Sequence, residues 1–168
     1  MTIGIDKIAF YTPNYVLDLV TLAKARGDEP DKYTIGIGQN RQTVVPNFED
    51  VVTMGANAAI KIITADDREK IDLIIFATES GIDNSKSSAL YMQTLLELSE
   101  FVRTIELKQA CYAGTYGLMQ ARDYVATHPG RRVLVVASDI ARYGLSTSGE
   151  VTQGAGAIAM IVSEAPKI

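Results

Sequence analysis

Two short runs, "L-I-I-F-A" at 73–77 and "V-L-V-V-A" at 133–137, are apolar at every position instead of every second one. Successive strand residues point to opposite faces, so such a run is stable only where both faces are covered. That is the pattern of strands inside a largely parallel sheet flanked by helices. The two runs extend to strands at Asp72–Thr78 and Arg132–Ser138, and three further stretches read as strands: Ile3–Tyr11, Thr104–Gln109 and Gly156–Ser163. Helical spacing intervenes. Leu19, Leu22 and Ala23 recur within Leu17–Arg26, which stops at Gly27, and Val51, Met54, Ala58 and Ile62 recur within Asn47–Ile63. Lys86–Leu98 and Tyr112–Thr127 complete four predicted helices. Strands alternating with helices predict a layered α/β architecture with a mostly parallel sheet.

Sheets of this kind form their sites where loops leave the carboxyl ends of the strands. Three chemically loaded stretches fall there: Thr78-Glu79-Ser80, Ala110-Cys111-Tyr112 and Ser138-Asp139. Cys111 is the only cysteine and opens a helix. Free amide groups and the positive end of the helix dipole favour a thiolate there, and the same amides can hold a developing oxyanion. The competing reading is a buried cysteine acting as a small hydrophobe. Gly114, Gly117 and Ala121 form a small-residue stripe that demands close packing, which places this helix between layers and Cys111 in a deep, partly dry site. Glu79 is either a solvated loop residue or, in an apolar cleft, a general base or acid with a raised pKa. Asp139 carries the same ambiguity, and His128 in "A-T-H-P-G" reads as a helix-terminal residue.

Composition removes other classes. With 20 acidic against 16 basic residues and no basic stripe, nothing attracts a nucleic-acid backbone. No apolar run approaches the roughly 20 residues of a membrane helix, and the amino terminus lacks the order of a signal peptide, so the expected compartment is cytoplasmic. One cysteine and one histidine are too few soft ligands for a structural zinc site, and no metal is expected. Gly36 and Gly38 lack the third glycine and the preceding strand of a dinucleotide-binding turn.

The motifs "G-I-D-K-I", "K-Y-T-I-G-I-G-Q", "A-T-E-S", "A-C-Y-A-G-T", "D-I-A-R-Y-G-L" and "G-E-V-T-Q-G-A-G-A", in this order, run along nearly the whole chain. Together they resemble the 3-hydroxy-3-methylglutaryl-CoA synthases of the thiolase superfamily, most closely the bacterial branch. The resemblance implies that residues 1–168 are the first half of a duplicated thiolase-like fold. That half has a five-stranded mixed sheet whose last strand runs antiparallel, with the Cys111 helix between the two sheets of the full fold. It implies that Cys111 takes the acetyl group from acetyl-CoA and that Glu79 is general base and acid in its condensation with acetoacetyl-CoA, a step of the mevalonate pathway. Thr152, Tyr143, Glu29 and Pro30 match ligand-contacting positions. Glu29 stands where Asp is more usual, Val151 where Pro is expected, and Gln109 where an acidic residue is usual. Beyond its acyl-CoA substrates the family uses no cofactor and forms homodimers. Its members are over twice as long, with a catalytic histidine and CoA-binding lysines in a C-terminal half absent from this chain, so the chain alone is expected to be inactive and to self-associate. The alternatives are another superfamily condensing enzyme, such as an initiating ketoacyl-ACP synthase, for which Glu79 has no necessary role, or a non-catalytic acyl-CoA-binding subunit.

Overall fold

The computed structural model describes residues 2–168. The chain begins with strand β1 (Ile3–Tyr11) and a four-residue strand β2 (Tyr15–Asp18), and then enters helix α1 (Leu19–Arg26). Asp18 caps α1 by accepting the Thr21 N–H at 2.9 Å, and Gly27 closes it in the left-handed conformation that glycine adopts without steric cost. A short helix α2 (Pro30–Thr34) and strand β3 (Arg41–Val44) follow, then α3 (Val51–Ala59) and α4 (Ala65–Lys70). The second half alternates regularly: β4 (Ile71–Ala77), α5 (Ser88–Leu95), β5 (Arg103–Leu107), α6 (Tyr112–Thr127), β6 (Arg132–Ala141) and β7 (Gly154–Glu164), with a 3-10 turn at Glu150–Thr152 before β7.

Five strands form one sheet in the order β1-β7-β6-β4-β5. β6, β4 and β5 pair in parallel, whereas β7 runs antiparallel to both β6 and β1. Four strands therefore point one way and the last opposes them, as expected. β2 and β3 form a separate antiparallel pair that is not among the five predicted strands.

The continuous apolar strands are covered on both faces. Ile74 and Phe76 of β4 and Leu134 and Val136 of β6 join Val51, Met54 and Met92 in a core beneath α3 and α5. Ile75, Val133 and Val135 face the other way onto Ala121 and Val125 of α6. α6 buries Ala113, Gly117, Ala121 and Val125 at intervals of four residues. A Cβ on Gly117 would lie 3.2 Å from Ile75 and 3.3 Å from Val135, so only glycine lets the helix settle this deeply.

This corrects one expectation. The small-residue stripe packs against the chain's own sheet, so close packing alone accounts for it without a second layer. What lies open is the opposite face of α6, with Tyr112 and Met119 52% and 43% exposed, and the sheet beside it, where Ile8 and Phe10 of β1 are 44% and 70% exposed. Three helix extents also differ: the predicted Leu17–Arg26 begins at Leu19, because Tyr15–Asp18 forms β2 and Asp18 caps α1. The predicted helix at Asn47–Ile63 shortens to α3, because Asp50 and Thr53 form a reciprocal cap that starts the helix at Val51. The predicted Lys86–Leu98 shortens to α5 behind its cap Ser87. Helix α4 was not foreseen; Thr64 and Asp67 cap it in the same reciprocal way.

Candidate active site

The three strand-end stretches converge. β4 is paired in parallel with β5 on one side and β6 on the other, so the loops carrying Glu79 and Cys111 leave the sheet at the end where Asp139 lies, within β6 and paired with Gly156 of β7. The Thr78 N–H donates to the Leu107 carbonyl at 3.1 Å, extending the β4–β5 ladder to the loop that carries Cys111.

Asp139 organises the β4 loop. Its Oδ1 accepts the Thr78 hydroxyl at 2.9 Å, the Glu79 N–H at 2.8 Å, and the Ser80 N–H and hydroxyl at 3.1 and 2.7 Å. The Ser80 oxygen in turn accepts the Ile140 N–H at 2.9 Å. One carboxylate oxygen thus fixes the backbone on which Glu79 is mounted while the Glu79 side chain remains exposed. In this chain Glu79 is the solvated loop residue of the first reading and not the apolar-cleft residue of the second, and the backbone that carries it is anchored.

Cys111 is the N-cap of α6, and its thiol is free and exposed. The deep, dry position expected for it is not found in this chain, because α6 buries its small-residue face and presents its first turn at the open end of the sheet. Ala110 immediately before it has φ 48°, a left-handed conformation that costs a non-glycine residue roughly 1 kcal/mol or more. That bend turns the chain back on itself, so the Tyr112 N–H donates to Gln109 and the Ala113 N–H to Ala110, each at 3.1 Å. These two first-turn amides are already engaged, contrary to the expectation that the whole first turn offers oxyanion donors.

A second group assembles between α1 and the segment before β7. Arg26 of α1 grips Glu150 through two hydrogen bonds, Nε to Oε2 at 2.8 Å and Nη2 to Oε1 at 2.6 Å. The Ser146 N–H adds a third at 2.8 Å. The Arg26 hydrogen bonds outweigh the desolvation that opposes them and hold the Glu150 carboxyl at about 2. Between the α1–α2 segment and the 144–151 loop lies a cavity of about 510 Å³ walled by Arg26, Asp28, Lys32, Tyr33, Ser146 and Glu150, among others. Glu29 caps α2 and Pro30 opens it, which puts both in the segment forming one wall. Tyr143, 53% exposed, anchors its loop by donating its N–H to Gln153 at 2.8 Å, and Thr152 ends the 3-10 turn. Cys111 and Glu79 are not among the walls of this cavity. Val151, where proline is expected, is buried with Leu19, Leu22, Ala23 and Tyr33, so an apolar side chain has a packing role there. Sequence reading missed Arg26, which lies 124 residues from Glu150 and has no local signature.

A mixed five-stranded sheet with one helix packed on one face, opened by an exposed cysteine after one parallel strand and with an anchored glutamate after its neighbour, defines a thiolase-like α/β unit. Residues 1–166 match the family model for the hydroxymethylglutaryl-coenzyme A synthase N terminal, and the chain belongs to that family. It is 52% identical over all 168 residues to hydroxymethylglutaryl-CoA synthase from Enterococcus faecalis, of which it covers 44%. An HMG-CoA synthase structure complexed with CoA superposes with a TM-score of 0.98 at 50% identity, covering 100% of this chain and 43% of that one. MvaS in complex with 3-hydroxy-3-methylglutaryl coenzyme A gives 0.93 at 43% identity, covering 100% and 42%. The chain therefore spans less than half the length of these relatives.

Proposed function

We propose that this chain forms the N-terminal half of an acyltransferase that condenses acetyl-CoA with acetoacetyl-CoA to 3-hydroxy-3-methylglutaryl-CoA, a step of the mevalonate pathway. The observation that carries the reading is the convergence of Cys111 and Glu79 at the ends of adjacent parallel strands, with Asp139 fixing the second. Cys111 attacks the acetyl carbonyl, a thioester forms on its sulfur as the bond to the CoA sulfur breaks, and the proton given up by the Cys111 thiol passes to CoA, which leaves as the thiol. Glu79 removes a proton from the acetyl methyl, and the resulting carbanion adds to the ketone carbon of acetoacetyl-CoA. The protonated Glu79 returns its proton to the new alkoxide. Water then hydrolyses the Cys111 thioester to leave a free carboxylate on the product.

The substrates are acyl-CoA thioesters and no separate cofactor is consumed. Tyr143, Thr152, Glu29 and Pro30 border the ligand in this reading; they adjoin the segments that wall the cavity of about 510 Å³ without lining it themselves. A C-terminal half and a second copy in a homodimer complete the enzyme in this reading. The deciding experiment incubates the full-length enzyme with acetyl-CoA and measures intact mass. One added acetyl group, mapped to Cys111 and lost in Cys111→Ser, supports the reading. An enzyme that binds acetyl-CoA without becoming acetylated supports a binding subunit instead.

A further inference from the structure

Glu79 sits on a loop with two ends, and Asp139 secures only the first. Glu106 lies in β5, five positions before Cys111, and its neighbours Ile105 and Leu107 face the α6 side. Its own side chain turns to the other face of the sheet, toward α5. There its Oε2 accepts the Ser88 N–H at 2.7 Å, at the first residue of α5. Ser88 is fully buried, so this amide has no access to water as a substitute partner. The other oxygen, Oε1, lies where a side chain on Gly81 would have to go: a Cβ at Gly81 would approach it to 2.5 Å. Gly81 is two residues beyond Glu79. One carboxylate therefore touches the 79–88 loop near its start and bonds it at its end, and does so from the strand that delivers Cys111.

From this geometry we infer that Glu106 is a positioning residue for condensation: it holds the Glu79 loop in register with the Cys111 strand. The carboxylate is an anion at the start of α5, where helix amides and dipole both favour negative charge, so the contact is charge-assisted. Glu106 itself acts only through the loop. The close approach of Gly81 makes the fit specific, because a longer side chain at 81 or a shorter one at 106 changes the spacing between loop and strand. The inference rests on the reading of Glu79 as the base.

The test uses the full-length enzyme carrying Glu106→Ala, Glu106→Gln, Gly81→Ala and the double variant Gly81→Ala/Glu106→Ala, with Glu79→Gln as reference. Glu106→Ala is expected to lower kcat for condensation about 10- to 100-fold, the cost of misplacing a catalytic group by roughly 1 Å. Acetylation of Cys111 should proceed as in the parent. Glu106→Gln keeps an acceptor for Ser88 and should recover most of the loss. Gly81→Ala should impair condensation alone yet add little to Glu106→Ala, since the atom it collides with is gone. Equal loss of acetylation and condensation, or additive losses in the double variant, would overturn the inference. Amide exchange across residues 79–88 separates it from the base assignment. Unchanged exchange in Glu106→Ala removes the clamp, whereas faster exchange together with full condensation in Glu79→Gln removes only the base.

Discussion

The Glu79 N–H donates to Asp139 Oδ1 at 2.8 Å, and the same oxygen takes three further donors from Thr78 and Ser80. The position of Glu79 is thereby set by a residue 60 positions away on the neighbouring strand. Removing that acceptor in Asp139→Ala leaves the buried Thr78 O–H without an acceptor, its oxygen keeping only the Ser80 N–H at 3.1 Å, and loosens the loop. The expected result is a loss of about 1–3 kcal/mol in unfolding free energy. Condensation should fall far more than Cys111 acetylation. Asp139→Asn retains an oxygen acceptor and should lie between the parent and alanine in both measurements. Denaturant unfolding and single-turnover acetylation on the same preparations check this; equal effects on both chemical steps would show that Asp139 serves the fold alone.

Glu79→Gln keeps the shape of the side chain and leaves the backbone bond to Asp139 intact. An amide cannot accept the methyl proton, so acetyl-enzyme should accumulate while 3-hydroxy-3-methylglutaryl-CoA formation drops by about 100-fold or more, within the range for loss of a general base. Because the Glu79 side chain is exposed and makes no structural hydrogen bond among the described residues, the melting temperature should stay at the parent value. A variant that condenses normally would assign proton removal to another group.

The sheet, its central strands and the Cys111 helix were legible because their signals are local: uninterrupted apolar runs for β4 and β6, and a small-residue period for α6. The strand ends containing Glu79, Cys111 and Asp139 followed from the same pattern. Sequence gave no access to relationships between distant positions, such as Arg26 with Glu150 or Glu106 with Gly81, since a salt bridge or a close approach leaves no periodic trace. It also took the small residues of α6 as a sign that the helix lies between two layers. Gly114, Gly117 and Ala121 require a close neighbour, and the pattern is the same whether that neighbour is the chain's own sheet or another layer.

The buried side chain of Asp67 ties three elements together, accepting Lys7 Nζ from β1 at 2.5 Å, bonding Arg132 of β6, and closing the α4 cap with Thr64. Desolvation alone would raise its pKa, but the bonds to Lys7, Thr64 and Arg132 overcome it and hold the carboxyl at about 2. A depressed folded-state pKa contributes stability above the ordinary value of 3.8, and that contribution disappears as pH falls toward 2. Glu150, held low chiefly by its hydrogen bonds to Arg26, has the same sign over a window from 4.5 to about 2. Stability should therefore be flat from neutral pH to about pH 5 and fall steeply below pH 4. Asp67→Asn leaves Lys7 facing a neutral partner and Arg132 with only Asp66, and should cost about 3 kcal/mol at pH 7 while flattening the acid limb. An acid limb identical to that of the parent would locate the titrating groups elsewhere.

Two glycines on one helix should respond in opposite directions. A Cβ on Gly114 meets only Ala137, at an ordinary 3.6 Å, so Gly114→Ala gains helix propensity without a clash and should stabilise by about 0.5–1 kcal/mol. Gly117 has Ile75 at 3.2 Å and Val135 at 3.3 Å, and Gly117→Val would push branched methyls into both. That overpacking should cost about 1–3 kcal/mol, beyond any propensity gain. Thermal unfolding of the two variants decides it; stabilisation by both would mean that α6 rides higher on the sheet than described.

The isolated 168-residue chain should self-associate and fail to condense its substrates. α6 covers the middle of one sheet face, but on one side of it Ile8 and Phe10 stand open on β1. On the other side a cavity of about 570 Å³ is floored by Leu73, Ile75, Ile105 and Leu107. Tyr112 and Met119 continue the apolar surface across the outer face of the helix. Contiguous apolar patches beyond a few hundred Å² are uncommon on monomers. At roughly 25 cal/mol per Å², covering several hundred Å² favours association by many kcal/mol before the loss of rigid-body entropy is subtracted. The open surface arises from the sheet, not from the glycine stripe, so Ile8→Ser/Phe10→Ser should shift light scattering toward the monomer, while Gly114→Ala should not. The proposed nucleophile and base are both present in the isolated chain, but it spans less than half the length of its relatives, so acetyl-CoA and acetoacetyl-CoA should yield no product. A stable monomer with measurable turnover would show that these 168 residues hold a complete site.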